Sequence, residues 1–147
     1  MNSKLLTIKG EKSLDELING KKLILIYFKE HHTPLCTIQV SAFKKEAPLL
    51  NALNINTIIA STDSIKDIAN FQNDLGAFPF QIASDFNGSL AKELNIYDIN
   101  EKKSNRAIFI FNQKCEIIFK NTFYQPANFD QFLEIFTSET VFSFFRF

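Results

Sequence analysis

The stretch Leu23-Ile24-Leu25-Ile26-Tyr27-Phe28, followed by Lys29-Glu30-His31-His32-Thr33-Pro34-Leu35-Cys36, decides the fold. Six β-favouring apolar residues without alternation form the pattern of a central strand covered on both faces. The segment from Lys29 to Leu35 holds both histidines and Pro34, and reads as a loop. From Cys36 onward Ala42, Phe43, Ala47 and Leu50 recur at helical spacing, and Pro48 kinks or divides that helix. The succession places Cys36 at the carboxyl edge of a buried strand, where open α/β sheets bind their ligands.

Working outward, Ser13-Leu14-Asp15-Glu16 reads as a capping box opening a short helix that stops at Gly20. Downstream, Asn56 to Ser61 is a second buried strand. A helix begins at Ser64, carries Ile68, Phe71 and Leu75 inward and ends at Gly76. Phe80 to Ala83 is a short strand, and Ser89 to Leu94 a short helix after the Asn87-Gly88 turn. Ala107 to Phe111 and Glu116 to Lys120 form a hairpin through Asn112-Gln113-Lys114-Cys115. A last helix begins at Asn128, with Gln131 completing its cap. This order predicts an α/β layer sandwich with a mixed sheet. No repeat or linker divides it, so residues 1–147 are expected to form one domain with an apolar, Phe-rich tail from about residue 138.

Composition narrows the function classes. A chain of 147 residues can bury a core without disulfides or metals. Sixteen basic and sixteen acidic side chains balance to zero, which gives no electrostatic footprint for nucleic acid or an anionic membrane. The amino terminus lacks the apolar core and small-residue cleavage site of a signal peptide, and no apolar run approaches the ~18 residues of a membrane span. Two cysteines, Cys36 and Cys115, are too few for a disulfide framework, so the expected setting is a reducing cytoplasm. Seventeen Phe without Trp reads as coding bias.

A thiol becomes a strong nucleophile when its thiolate is stabilised, by helix N–H groups, the positive end of the dipole and a nearby cation. Cys36 stands where a strand has ended and a helix begins. On position alone it is either such a nucleophile or a small apolar filler of the first turn. His31 and His32 beside it invite a metal reading, but adjacent loop histidines rarely face one ion, and no cysteine or carboxylate pair has ligand spacing. No C-x-x-C occurs, since Thr33 occupies the place of its first cysteine, which excludes dithiol exchange of the thioredoxin kind.

The run Thr33-Pro34-Leu35-Cys36-Thr37 resembles the T-x-x-C core of the peroxiredoxin (AhpC/TSA) family, above all its bacterioferritin-comigratory, or peroxiredoxin Q, branch. Ser61-Thr62-Asp63-Ser64 resembles the S-x-D-S that follows its second strand. Phe71, Gly76, Phe78-Pro79-Phe80, Ser84-Asp85, Gly88, Ala91, Leu94 and Arg106-Ala107-Ile108-Phe109-Ile110 follow at the family's spacing. The similarity runs from about Leu23 to about Glu134.

The resemblance implies a thioredoxin-like three-layer α/β/α sandwich with a central mixed sheet, and a thiol-dependent peroxidase without cofactor or metal. Cys36 would be the nucleophile, Thr33 would offer its hydroxyl to thiolate and peroxide, and Arg106 would supply the forked cation. The amides of Leu35 and Cys36 would complete the anion site, and Gln39, where the family often has Glu, would support Arg106. The family's proline four residues before the threonine is Lys29 here, which either adds a second cation near Cys36 or points to solvent. A resolving cysteine five residues after the nucleophile is replaced by Ser41. Cys115, in the hairpin turn, falls at the far end of the sheet in this fold. The resemblance therefore implies a one-cysteine cycle, resolved by thioredoxin, glutaredoxin or a small-molecule thiol, in a monomer or homodimer. The alternative is a peroxiredoxin-fold redox sensor or binding module that has lost turnover. The tail Val141 to Phe147 would pack on the domain, or serve as a dimer contact or membrane-surface anchor.

Overall fold

The computed structural model describes residues 3–29, 34–74, 80–126 and 128–137; among these, the side chains of residues 34–36, 129, 132, 136 and 137 are not described. The expectations for His31, His32, Thr33, Leu75, Gly76 and the Phe-rich tail fall outside this set.

The predicted central strand is β3, Lys22–Tyr27, and its five residues from Leu23 to Tyr27 have no exposure. It lies in a seven-stranded mixed sheet. With β1 as Lys4–Thr7, β2 as Gly10–Ser13, β4 as Ile55–Ser61, β5 as Gln81–Ser84, β8 as Ala107–Phe111 and β9 as Ile117–Asn121, the order is β2-β1-β5-β4-β3-β8-β9. β3, β4 and β5 are mutually parallel, while β1 runs antiparallel to β5 and β8 antiparallel to β3. A small hairpin of β6 (Tyr97–Asp98) and β7 (Lys103–Ser104) stands apart and leads into β8.

Helices cover both faces, which is why β3 shows no alternation. Ile24, Ile26 and Phe28 pack in one core with Val40 and Phe43 of α2 (Pro34–Lys45), Leu50 of α3 (Ala47–Ala52), Ile68 and Phe71 of α4 (Ile65–Asp74) and Ile135 of α6 (Phe129–Thr137). Leu23, Leu25 and Tyr27 face the other core, with Leu14, Leu17 and Ile18 of α1 (Leu14–Ile18) and Leu90 and Ala91 of α5 (Ser89–Glu93). The result is the expected thioredoxin-like α/β/α sandwich.

Local signals hold well. Ser13 accepts from the Glu16 amide, and Glu16 reaches back to the Ser13 amide. The α1 stop uses two left-handed residues, Asn19 (φ 48°) and Gly20 (φ 76°). Pro48 divides α2 from α3 as expected, because a proline is tolerated only in a helix's first turn. Ser64 Oγ accepts from the Asp67 amide, and Asn128 Oδ1 from the Gln131 amide. The Cys helix starts at Pro34 rather than Cys36, since proline's fixed φ suits a first helical position. The β1–β2 and β6–β7 hairpins are additions to the sequence reading. Gly10 (φ 103°) turns the first, in a segment too short and polar to show a strand pattern.

Candidate active site

Antiparallel register between β3 and β8 pairs Tyr27 with Ala107. Arg106, half-buried, therefore enters the sheet beside the end of the strand from which the chain runs on toward Cys36. The parallel partners contribute to the same edge: Tyr27 is level with Ala60, and Ser61 with Ser84. The ends of β3, β4 and β5 and the entry of Arg106 into β8 are thus brought to one edge of the sheet.

Cys36 is the third residue of α2, a helix of 12 residues. Pro34 has no N–H, and the amides of Leu35 and Cys36 fall among the first-turn donors that an α-helix leaves without an internal acceptor. Such a turn favours an anion through both the free donors and the dipole. About one turn later the helix is anchored to the sheet by Gln39. Its side chain has no exposure, and its Nε2 donates to the carbonyl of Tyr27 at 3.1 Å. Gln39 Oε1 is buried without a hydrogen-bond partner among the described residues.

Tyr27 is held at its other end too. Its hydroxyl donates to Asp85 Oδ2 at 3.2 Å, and the same carboxylate accepts from the amides of Leu90 (3.1 Å) and Ala91 (2.7 Å), capping α5. Burial, with the carboxylate second, pushes the Tyr27 phenol well above its ordinary value. Burial also raises Asp85, against the lowering pull of its hydrogen-bond donors. In the sequence Tyr27 is one more strand residue; nothing local marks a partner 58 residues away.

The Ser61-Thr62-Asp63-Ser64 segment closes the β4–α4 corner. Ser61 Oγ donates to Asp63 Oδ2 and accepts from the Asp63 amide, both at 3.0 Å. Ser84 Oγ donates to the Asp63 carbonyl, and the Asp85 amide donates to the Ser61 carbonyl at 2.8 Å. These buried contacts fix the ends of β4 and β5 against each other.

Lys29 has an acidic partner that its sequence position does not reveal. Its ammonium pairs with Glu101 Oε2 at 2.7 Å, from the turn between β6 and β7. Glu101 carries no local signal that singles it out.

Cys115 occupies a left-handed turn position (φ 64°) after Phe111, which pairs with Leu23 at the start of β3. Four strand steps, roughly 13 Å, separate that pair from Tyr27. Cys115 thus lies at the other end of β3 from Tyr27, whose carbonyl anchors α2, whereas a disulfide requires Cα atoms within about 7 Å. Burial, reinforced by the Asp15 carboxylate, raises the Cys115 thiol, the reverse of what a nucleophile requires. A cleft of about 960 Å³ also lies at that far edge, lined by Lys9, Lys12, Lys21 and Gln81, and includes none of the candidate site residues.

The AhpC/TSA family profile matches residues 2–120. The chain belongs to the AhpC/TSA family. Bovine peroxiredoxin-6 is 30% identical over 134 residues, covering 78% of this chain and 59% of the relative. The chain thus spans less than two thirds of the length of that relative. Among solved structures, the yeast mitochondrial 1-Cys peroxiredoxin superposes with a TM-score of 0.80 at 19% identity, covering 97% of this chain and 75% of that one. The PrxQ of Xylella fastidiosa, in a cysteine-to-serine mutant form, superposes with a TM-score of 0.72 at 20% identity, covering 86% and 80%. At these identities the superpositions establish the shared thioredoxin-like fold, and the family assignment rests on the profile. Among the described residues no helix is long and apolar enough to cross a membrane.

Proposed function

We propose that this chain is a thiol-dependent peroxidase in which Cys36 attacks hydrogen peroxide or an organic hydroperoxide. The observation that supports the reading is that, in an AhpC/TSA chain, the end of β3 at Tyr27 both anchors α2 through Gln39 and pairs with Ala107, the residue after Arg106. The Cys36 thiolate bonds to one peroxide oxygen as the O–O bond breaks. The departing oxygen takes a proton and leaves as water or alcohol, and the sulfur is left as a sulfenic acid. Arg106 stabilises the thiolate and the charge growing on the leaving oxygen. The Leu35 and Cys36 amides add donors, and Thr33 orients the peroxide with its hydroxyl. Gln39 holds α2 to the strand end.

The position of Cys115 supports a one-cysteine cycle. An external thiol attacks the sulfenic sulfur and releases water, and a second thiol splits the mixed disulfide and restores Cys36. Thioredoxin, glutaredoxin or a small thiol supplies both. The yeast structure was determined for thiol resolution of a 1-Cys peroxiredoxin via glutathione/thioredoxin systems, which makes the same reductant classes the first to test. The chain acts as one domain in a reducing cytoplasm. Peroxide consumption coupled to a panel of thiol reductants tests the assignment. Turnover that disappears in Cys36→Ser supports it, and wild-type chain that consumes no peroxide with any reductant overturns it.

A further inference from the structure

We propose that the Lys29–Glu101 ion pair is a latch that positions the Cys36 approach against the segment entering Arg106, making both residues positioning residues for the peroxidase reading on which this rests. The two charges meet at 2.7 Å with side chains only 32% and 46% exposed. Each is mounted on fixed backbone. Lys29 follows Phe28, whose amide donates to the Ala60 carbonyl at 3.0 Å and whose side chain is fully buried. Glu101 sits in a turn wound around Asp98. The Asp98 carboxylate accepts from the amides of Asn100 (2.9 Å) and Glu101 (3.1 Å), and its carbonyl accepts from Lys102 (2.8 Å). Holding the two supports in advance confines the ordering cost of the pair to its side chains.

What the latch joins gives it its role. Lys29 is the last described residue before the chain enters the Cys36 helix at Pro34. From Glu101 the chain returns through β7, with Ser104 fully buried and the Asn105 amide donating to the Ile96 carbonyl at 2.7 Å, straight into Arg106. Tyr27 and Ala107, two residues before Lys29 and one after Arg106, are already paired in the sheet. The ion pair therefore closes a ring: strand end, Lys29, Glu101, Arg106 and back to the strand. Without it, the two arms that carry thiol and cation lose a side-chain tether. The pair gives the Lys29 ammonium a carboxylate partner, so its part in this proposal is to tether the two segments.

The test uses the full chain carrying Cys115→Ser, so that Cys36 is the single thiol. Its alkylation by iodoacetamide across pH, and its oxidation by hydrogen peroxide, are measured for Lys29→Glu, Glu101→Lys, Glu101→Gln and the double charge swap. Each single variant is expected to slow both reactions about three- to fivefold, the reach of a partly exposed pair. The swap is expected to recover at least half of the loss, with thermal midpoints little changed. Unchanged rates in Glu101→Gln, faster reaction there because Lys29 is released as a free cation, or no recovery in the swap would each overturn the proposal. Alkylation that follows this pattern in a chain unreactive to peroxide would uphold the latch while removing the peroxidase reading.

Discussion

The Gln39 amide donates to the Tyr27 carbonyl at 3.1 Å in a core where neither side chain has any exposure. This bond ties the helix that begins at Pro34 to the strand that precedes it. Gln39→Leu removes the donor and leaves a buried carbonyl without it, at a cost of about 1–3 kcal/mol. Urea unfolding checks this through a lowered midpoint with an unchanged slope. The variant is also expected to react more slowly with peroxide, because the helix start loses its anchor.

Asp85 is raised by burial, so it protonates more readily in the folded chain than in the unfolded one. Its contribution to stability is fully present below the ordinary aspartate value of about 4, and is lost as the pH rises through the higher folded value. Asp85→Asn removes that slope. The stability of wild type relative to Asp85→Asn is therefore expected to fall as the pH is raised from about 4, measured by urea unfolding at a series of pH values. A difference that grows with pH would contradict it.

Tyr27 is held well above the ordinary phenol range, and Tyr124 is pushed up to about 12, both chiefly by burial. The folded values exceed the unfolded one, so their contribution is intact below about pH 10 and is lost above it, as the unfolded chain ionises first. Replacing either by Phe is expected to leave the phenolate absorbance of the native chain unchanged up to about pH 11.

Gly88 adopts φ 72°, and a Cβ there would run into the Tyr97 ring. Gly88→Ala combines left-handed strain with overpacking and is expected to cost about 1–3 kcal/mol. Part of that loss should return in a Tyr97→Ala background, which thermal unfolding of the four chains would show.

Much of this architecture is legible in the sequence because the signals are local. Leu23 to Phe28 announces a doubly covered strand, Ser13 and Glu16 a capping box, Pro48 a helix boundary, and the ordered motifs around Thr33, Cys36 and Arg106 a family. The remainder depends on contacts between residues far apart in the chain. Lys29 finds Glu101 only after the β6–β7 hairpin folds back, and Tyr27 finds Asp85 across the width of β4. The β1–β2 hairpin is not legible because Gly10-Glu11-Lys12-Ser13 has no apolar face to bury. The start of α2 lies two residues before Cys36 because Pro34 opens the helix, although its polar, histidine-rich surroundings have the composition of a loop.

The central claim is that Cys36 is a thiolate activated by its helix start and Arg106. Stopped-flow oxidation of the full chain by hydrogen peroxide, with sulfenic acid trapped by dimedone, tests it most directly. The account predicts rapid loss of one thiol per chain, absent in Cys36→Ser and slowed about 100-fold in Arg106→Gln. A wild-type thiol that reacts no faster than free cysteine, or an Arg106→Gln chain as fast as wild type, would contradict it.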